Sequence, residues 1–148
     1  STNQMTFNRY ISEYIYLHLS TQGADIHEFN SINLAKENKL PEAIAELKKA
    51  IKLKDNNATY YGELASIFLK QNNLNDAESF YKKAISLSPD WLKFYLPLGE
   101  ILTKKNDLSG ACSIHQKALE LNPNNAELLV LIGDLMFKQN KLEQAENC

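Results

Sequence analysis

Cysteine is scarce. Cys112 and Cys148 are the only two, they lie far apart, and no CxxC spacing occurs. A disulfide framework is thereby excluded. Cys112 and His115 have a ligand-like spacing but no further donors nearby, and a structural zinc site needs four. Both thiols read as reduced, which points to a cytoplasmic setting. An excess of one charge is missing as well: 16 Lys and Arg stand against 18 Asp and Glu, for a formal charge of −2 and a pI near 5.9. The lysines are spread along the chain, so the basic field that nucleic acid requires is absent. No apolar run approaches the roughly 20 residues of a membrane span. Nor does the N-terminus show a basic stretch, apolar core and small-residue cleavage site in succession. The reading is a soluble protein with no membrane partner. Gly-rich phosphate loops, nucleophile motifs and complete metal-ligand clusters are all lacking. The expectation is a protein that is not an enzyme, with no cofactor and no metal.

The chain has instead an internal period. Alanine recurs at Ala43, Ala77, Ala111 and Ala145, always 34 residues apart. The same step joins Leu40, Leu74, Leu108 and Leu142, then Asn38, Asn72, Asn106 and Asn140, then Ala50, Ala84 and Ala118. Four series in phase mark a repeat architecture. Within each unit, apolar spacings of three and four describe two helical stretches of about 12 to 14 residues, separated by a short polar turn. In the second unit Tyr61, Leu64, Ala65 and Phe68 form the stripe of the first helix, and Ala77, Tyr81 and Ala84 that of the second. Tyr95, Leu98, Gly99 and Leu102, then Ala111, His115 and Ala118, repeat it in the third. Small residues at Ala65, Gly99 and Gly133 let helix backbones approach closely.

These residues resemble the tetratricopeptide repeat family, whose signature is aromatic-x2-Leu-Gly-x2-Tyr, later Ala-x3-aromatic-x2-Ala, then Pro. The resemblance covers residues 24–57, 58–91, 92–125 and a partial unit over 126–148, with Pro89 and Pro123 closing the second and third units. It implies an all-α fold, a right-handed superhelical array of antiparallel helical hairpins (an α-solenoid). The first unit departs most, with His27, Asn30 and Ser31 in place of aromatic, Leu and Gly, and Asp55 in place of Pro. Its first helix is expected to be the least regular. Asn38, Asn72, Asn106 and Asn140 stand at the hairpin turns, where asparagine suits a left-handed C-terminal cap. Residues 1–23 carry Phe7, Tyr10, Ile11, Tyr14, Ile15 and His18 at helical spacing before Gly23. They read as an extra N-terminal helix over about Met5 to Leu19 that stops at Gly23 and covers the open face of the first unit. Pro97 falls within the first helix of the third unit, where a kink is expected.

The resemblance also implies that partners bind on the concave surface built from the first helices. The positions concerned are Asp25, Glu28 and Ile32; then Thr59, Gly62, Glu63, Ser66, Leu69 and Lys70; then Lys93, Leu96, Glu100, Thr103 and Lys104. The partial unit adds Glu127, Val130, Leu131, Asp134 and Phe137. Glu100 and Asp134 occupy equivalent positions and read as a solvated acidic groove, not an acid–base pair. Lys36, Lys70, Lys104 and Lys138 align near the ends of first helices, a placement that suits a cation complementing the dipole and equally one contacting a ligand. His115 sits at a packing position. One branch of the family grips the C-terminal carboxylate of heat-shock chaperones through lysine, asparagine and arginine. Here the corresponding positions hold Glu28, Ile32, Glu63, Lys93 and Pro97, and only Lys93 fits. A second branch lines its groove with one asparagine per repeat, but Phe29, Glu63, Pro97 and Leu131 stand there instead.

The function expected is therefore a protein–protein interaction scaffold that binds a basic, amphipathic peptide or partner helix. The alternative is a substrate-positioning repeat segment of a larger glycosyltransferase- or methyltransferase-type enzyme. Because the fourth unit is partial, Ile132, Met136 and Leu142 are expected to lack cover and to promote self-association through that end.

Overall fold

Backbone groups in this chain find their partners locally. The computed structural model describes Thr2 to Glu146, with side-chain surroundings from Asn3 to Glu143. Among these residues it contains seven α-helices, one 3-10 turn and no strand. The helices are α1 (Thr2–Lys36), α2 (Leu40–Leu53), α3 (Ala58–Lys70), α4 (Leu74–Leu87), α5 (Tyr95–Lys104), α6 (Leu108–Leu121) and α7 (Ala126–Glu146). The 3-10 turn, Leu92–Phe94, leads directly into α5. Cys148 and the side chain of the repeat alanine Ala145 lie outside the described residues.

Asparagine makes the turns. Asn38, Asn72 and Asn106 have φ of 60°, 57° and 63°, a left-handed conformation that asparagine tolerates better than most residues. In each turn two backbone bonds cap the preceding helix. Lys39 N–H donates to Leu34 and Asn38 N–H to Ala35; Asn73 and Asn72 do the same to Phe68 and Leu69, and Asp107 and Asn106 to Leu102 and Thr103. This is the paired capping arrangement that satisfies orphan carbonyls at a helix end. Other short polar residues start the next helices. The side chain of Asn73 accepts from Asp76 N–H, Asp107 from Gly110 N–H, and Asn125 from Leu128 N–H. Five asparagines, Asn38, Asn72, Asn73, Asn106 and Asn125, are thereby accounted for as caps and turns.

The chain divides into two compact units, the first ending at Tyr60 and the second beginning at Tyr61. In the first, α1 packs against α2 through Ala24, Ser31, Ala43, Leu47 and Ala50, all buried. The Ser31 hydroxyl donates to the Ala43 carbonyl at 3.0 Å, so the serine standing where glycine was expected has its polar atom satisfied by the facing helix. His27 Nδ1 lies 2.6 Å from Glu46 Oε2. Lys49 and His27 together hold the Glu46 carboxyl down to about 2.

Three expectations fail in α1. No stop occurs at Gly23, and the expected N-terminal helix runs on into the first helix of the first repeat as one 35-residue element. Glycine costs a helix roughly 1 kcal/mol relative to alanine, whereas breaking one leaves four carbonyls to be capped anew. Gly23 instead gives room to Leu53, whose Cδ1 would lie 3.2 Å from an added Cβ. In addition, residues 3–19 are exposed throughout and cover nothing in their own unit. The first helix of repeat 1 is consequently regular, contrary to expectation.

In the second unit α4 packs with α5, and α6 with both α5 and α7. Leu64, Ala65, Ala77, Tyr81, Ala84, Leu98, Ala111, His115 and Ala118 are buried, as the repeat pattern requires. Phe80, which that pattern left out, stacks on Tyr61 and Phe68 at ring separations of 6.5 and 5.5 Å. Pro97 is the third residue of α5, in its first turn. A helix's first four N–H groups have no internal acceptor, so proline's missing donor removes nothing and no kink is needed.

α7 differs from the hairpin expected around Asn140. It continues as one helix through that residue to Glu146, and Lys138 is therefore not in a last turn. The Gln139–Glu143 stretch favours helix, and continuing through one asparagine costs only a fraction of a kcal/mol in propensity. Ile132 is buried, contrary to expectation, whereas Met136 and Leu142 are about half exposed.

Candidate functional site

The 34-residue step places Ser66 on α3, Glu100 on α5 and Asp134 on α7 at equivalent positions. Two of these meet at one side chain. Tyr81, from α4, has a side-chain hydrogen bond with Ser66 and lies within electrostatic reach of Glu100. Burial, with the Glu100 charge added, pushes the Tyr81 hydroxyl up from its ordinary value. It stays a neutral phenol.

His115 takes the same place one repeat later. Its imidazole is 1% exposed and rests against the α5 backbone at Gly99, where a Cβ would come within 2.2 Å of the ring. Only glycine leaves space for the ring there. Nδ1 is buried without a hydrogen-bond partner. Burial lowers the pKa, opposed by the Glu100 carboxylate. The imidazole is thus a packing group, as its position in the repeat suggested, within electrostatic reach of the Glu100 carboxylate.

The fourteen residues from Glu63 to Phe137 that the family resemblance implies for the binding face all belong to the second unit, but they differ in freedom. Lys70, Lys93, Glu100, Lys104, Glu127, Val130, Asp134 and Phe137 are exposed. Glu63, Ser66, Leu69, Leu96, Thr103 and Leu131 are half-buried. Leu96 packs on the core formed by Tyr95, Ala118 and Leu128. The Thr103 hydroxyl donates to the Gly99 carbonyl at 2.9 Å. Lys93 folds over Trp91 and Phe94, its Nζ 4.4 and 5.0 Å from the ring centroids. Lys70 and Lys104 lie in the last turns of α3 and α5, where the helix dipole favours a cation.

What stands exposed mid-helix is acidic and apolar: Glu100 and Asp134, with Val130 and Phe137 on α7, 62% and 61% exposed, the Phe137 ring carrying the Lys141 Nζ 4.6 Å from its centroid. Trp91 and Phe94, which the sequence reading did not assign to any surface, brace Lys93; the aromatic pair three residues apart before α5 was the available signal. Among the described residues no group of three or more metal-ligand side chains occurs, and no helix is long and apolar enough to cross a membrane. Cys112 is a buried free thiol.

Comparison with known proteins adds three family matches. A TPR repeat profile matches residues 34–72, and two tetratricopeptide repeat profiles match residues 58–90 and 102–148. No match is found among curated proteins. Among solved structures, the Arabidopsis OM64 TPR domain is 25% identical with a TM-score of 0.72, over 80% of this chain and 98% of that domain. The first TPR of Spaghetti (RPAP3), bound to the HSP90 peptide SRMEEVD, gives 23% identity and a TM-score of 0.74, over 81% and 95%. The second TPR domain of human RPAP3, in complex with the HSP70 peptide SGPTIEEVD, gives 22% and 0.69, over 81% and 98%. At those identities the last two show likeness of fold.

Proposed function

Since this chain belongs to the tetratricopeptide repeat family, we propose that it is a non-catalytic scaffold that binds another polypeptide along the face presented by α3, α5 and α7. The observation that carries the reading is the row Ser66, Glu100 and Asp134. Ser66 hydrogen-bonds the buried Tyr81 phenol, and Glu100 lies within electrostatic reach of both Tyr81 and His115. Those buried side chains give the row a rigid floor, and exposed apolar side chains lie next to it on α7.

The ligand that suits this face is a basic peptide with apolar side chains. Two structural neighbours hold peptides ending in EEVD; an acidic ligand of that kind would meet Glu100, Glu127 and Asp134 here. Like charges brought together at an interface cost affinity and specificity. A fluorescence-anisotropy titration of two labelled peptides decides the matter. One is SRMEEVD, and the other has the same length with lysine alternating with leucine and phenylalanine. Tighter binding of the basic peptide, weakening as salt rises, supports the proposal. Preference for SRMEEVD would refute the charge assignment.

A further inference from the structure

We infer that α1 is a self-association helix, which pairs antiparallel with α1 of a second copy of this chain along an uncovered stripe from Phe7 to Ile32. A helix advances about 100° per residue, so Phe7, Ile11, Tyr14, Ile26, Phe29 and Ile32 fall within about 60° of one line down α1. All six are exposed, Tyr14 and Phe29 by more than 60%. The residues that meet α2 within the same unit, Ala24, His27 and Ser31, lie on the opposite side. α2 therefore leaves the stripe open.

The chemistry of the segment is that of a buried helix. Between Thr2 and Gly23 only Arg9 and Glu13 carry full charges. They pair with each other at 3.0 Å on the side away from the stripe. A solvated helix of this length is ordinarily kept in water by charged faces and repeated i,i+4 pairs, and this one has a single pair. The six side chains present on the order of 600 Å² per chain, or about 1,200 Å² for two copies, given aromatic areas of roughly 150–250 Å². That reaches the lower bound of stable interfaces, about 1,200–2,000 Å², before the flanking Tyr10 and Ile15 are added.

The order of residues selects the partner and its direction. With a two-fold axis near residue 20, Phe7 faces Ile32 of the second copy, Ile11 faces Phe29, and Tyr14 faces Ile26. His18, hydrogen-bonded to Gln22 in its own chain at 3.2 Å, faces the second copy's Gln22. At these three positions apolar groups meet apolar groups, and the polar middle meets itself. Parallel pairing in register would instead set Asp25 against Asp25. In the antiparallel pair Asp25 instead faces Ile15 of the second copy, and the Tyr60 hydroxyl of its own chain holds the carboxylate at 3.3 Å. The stripe is electroneutral but for Asp25 and self-complementary, which suits an isologous contact.

Sedimentation velocity of the whole chain over a concentration series should show a monomer–dimer equilibrium. Ile11→Lys and Phe29→Glu should each weaken the dimer on the order of 100-fold, since each change enters the interface twice. Both side chains are exposed, so an unchanged far-UV circular dichroism spectrum should accompany the loss. An equimolar mixture of the two variants should dimerise again, because the antiparallel arrangement sets the new ammonium against the new carboxylate. Met136→Lys, on the open face of α7, should leave dimerisation intact. A wild-type chain that stays monomeric throughout, single variants that still dimerise, a mixture that stays monomeric, or dissociation by Met136→Lys would each overturn the inference.

Discussion

Gly99 and Gly133 occupy the same repeat position in α5 and α7, yet an added methyl group would have opposite effects at the two. At Gly99 it would sit 2.2 Å from the His115 ring, which is buried and has no space to withdraw; at Gly133 nothing lies within 4 Å. Gly99→Ala should therefore destabilise by about 1–3 kcal/mol through overpacking. Gly133→Ala should stabilise by about 0.5–1 kcal/mol, the helix-propensity difference. Urea unfolding of the two variants beside the wild type measures both signs. The same imidazole makes stability depend on pH. Its pKa is lowered in the folded chain by burial from an ordinary value of 6.5. The unfolded chain thus takes up the proton first, and the contribution, complete above about pH 6.5, is lost as pH falls below it. The slope approaches about 1.4 kcal/mol per pH unit. Unfolding between pH 7.5 and 5.5 should show this decline, and His115→Phe should flatten it. The sequence identified His115 as a packing residue from its register with Tyr81. The backbone contact with Gly99, and the unpartnered Nδ1, depend on how closely two helices approach, which spacing does not specify.

Asparagine at one repeat position does two different things in different elements. At Asn106 it holds φ at 63° between α5 and α6, whereas Asn140, one period on, is an interior residue of α7. Asn106→Ala should cost about 1–2 kcal/mol, the penalty for a side chain with a Cβ in the left-handed region without local amide bonding. Asn140→Ala should gain about 0.5 kcal/mol, because alanine is the better helix former. Thermal unfolding separates them by sign, and a loss at both positions would mean that Asn140 also makes a turn. The period, the turns at Asn38, Asn72 and Asn106 and the element order were legible in the sequence, because each follows from local spacing and backbone preference. The ends of the array were not. The separate N-terminal helix and its stop were read from local apolar spacing and Gly23, and the turn at Asn140 was extrapolated from the period. A left-handed turn is favoured only where the next helix packs back on the one before, as α2 does on α1 and α6 on α5. Where that packing is not made, continued helix satisfies the same backbone groups. Pro97 shows the same limit on a smaller scale: its effect depends on where α5 begins, and the 3-10 turn before Tyr95 moves that start forward.

For the molecule as a binding scaffold, the candidate face was legible as a set of positions, but their availability was not. The positions were assigned from what the family resemblance implies for each repeat; Ser66, Leu96 and Thr103 turn out to be held by Tyr81, the Leu128 core and the Gly99 carbonyl respectively. Register says which residues share a side of the array, and neighbouring side chains decide which of them remain free. Glu100 and Asp134 are exposed, so they are the proper test of the proposed groove. Replacing both with lysine reverses the local field where a basic peptide would dock. Affinity for such a peptide should fall by about 10-fold or more, and its salt dependence should diminish, because exposed charges act through screened attraction. The control must be a carboxylate elsewhere that does nothing structural. Glu78 is unsuitable: it is mostly buried and bridges Lys82 on α4 and Lys105 beyond α5, so reversing its charge would break two ion pairs. Glu120, exposed on α6, changes net charge without that disruption, and Glu120→Lys should leave the affinity unchanged. Isothermal titration at two salt concentrations distinguishes the cases. A loss of affinity from Glu120→Lys equal to that from the double replacement would mean that net charge, and not the α5–α7 face, attracts the peptide.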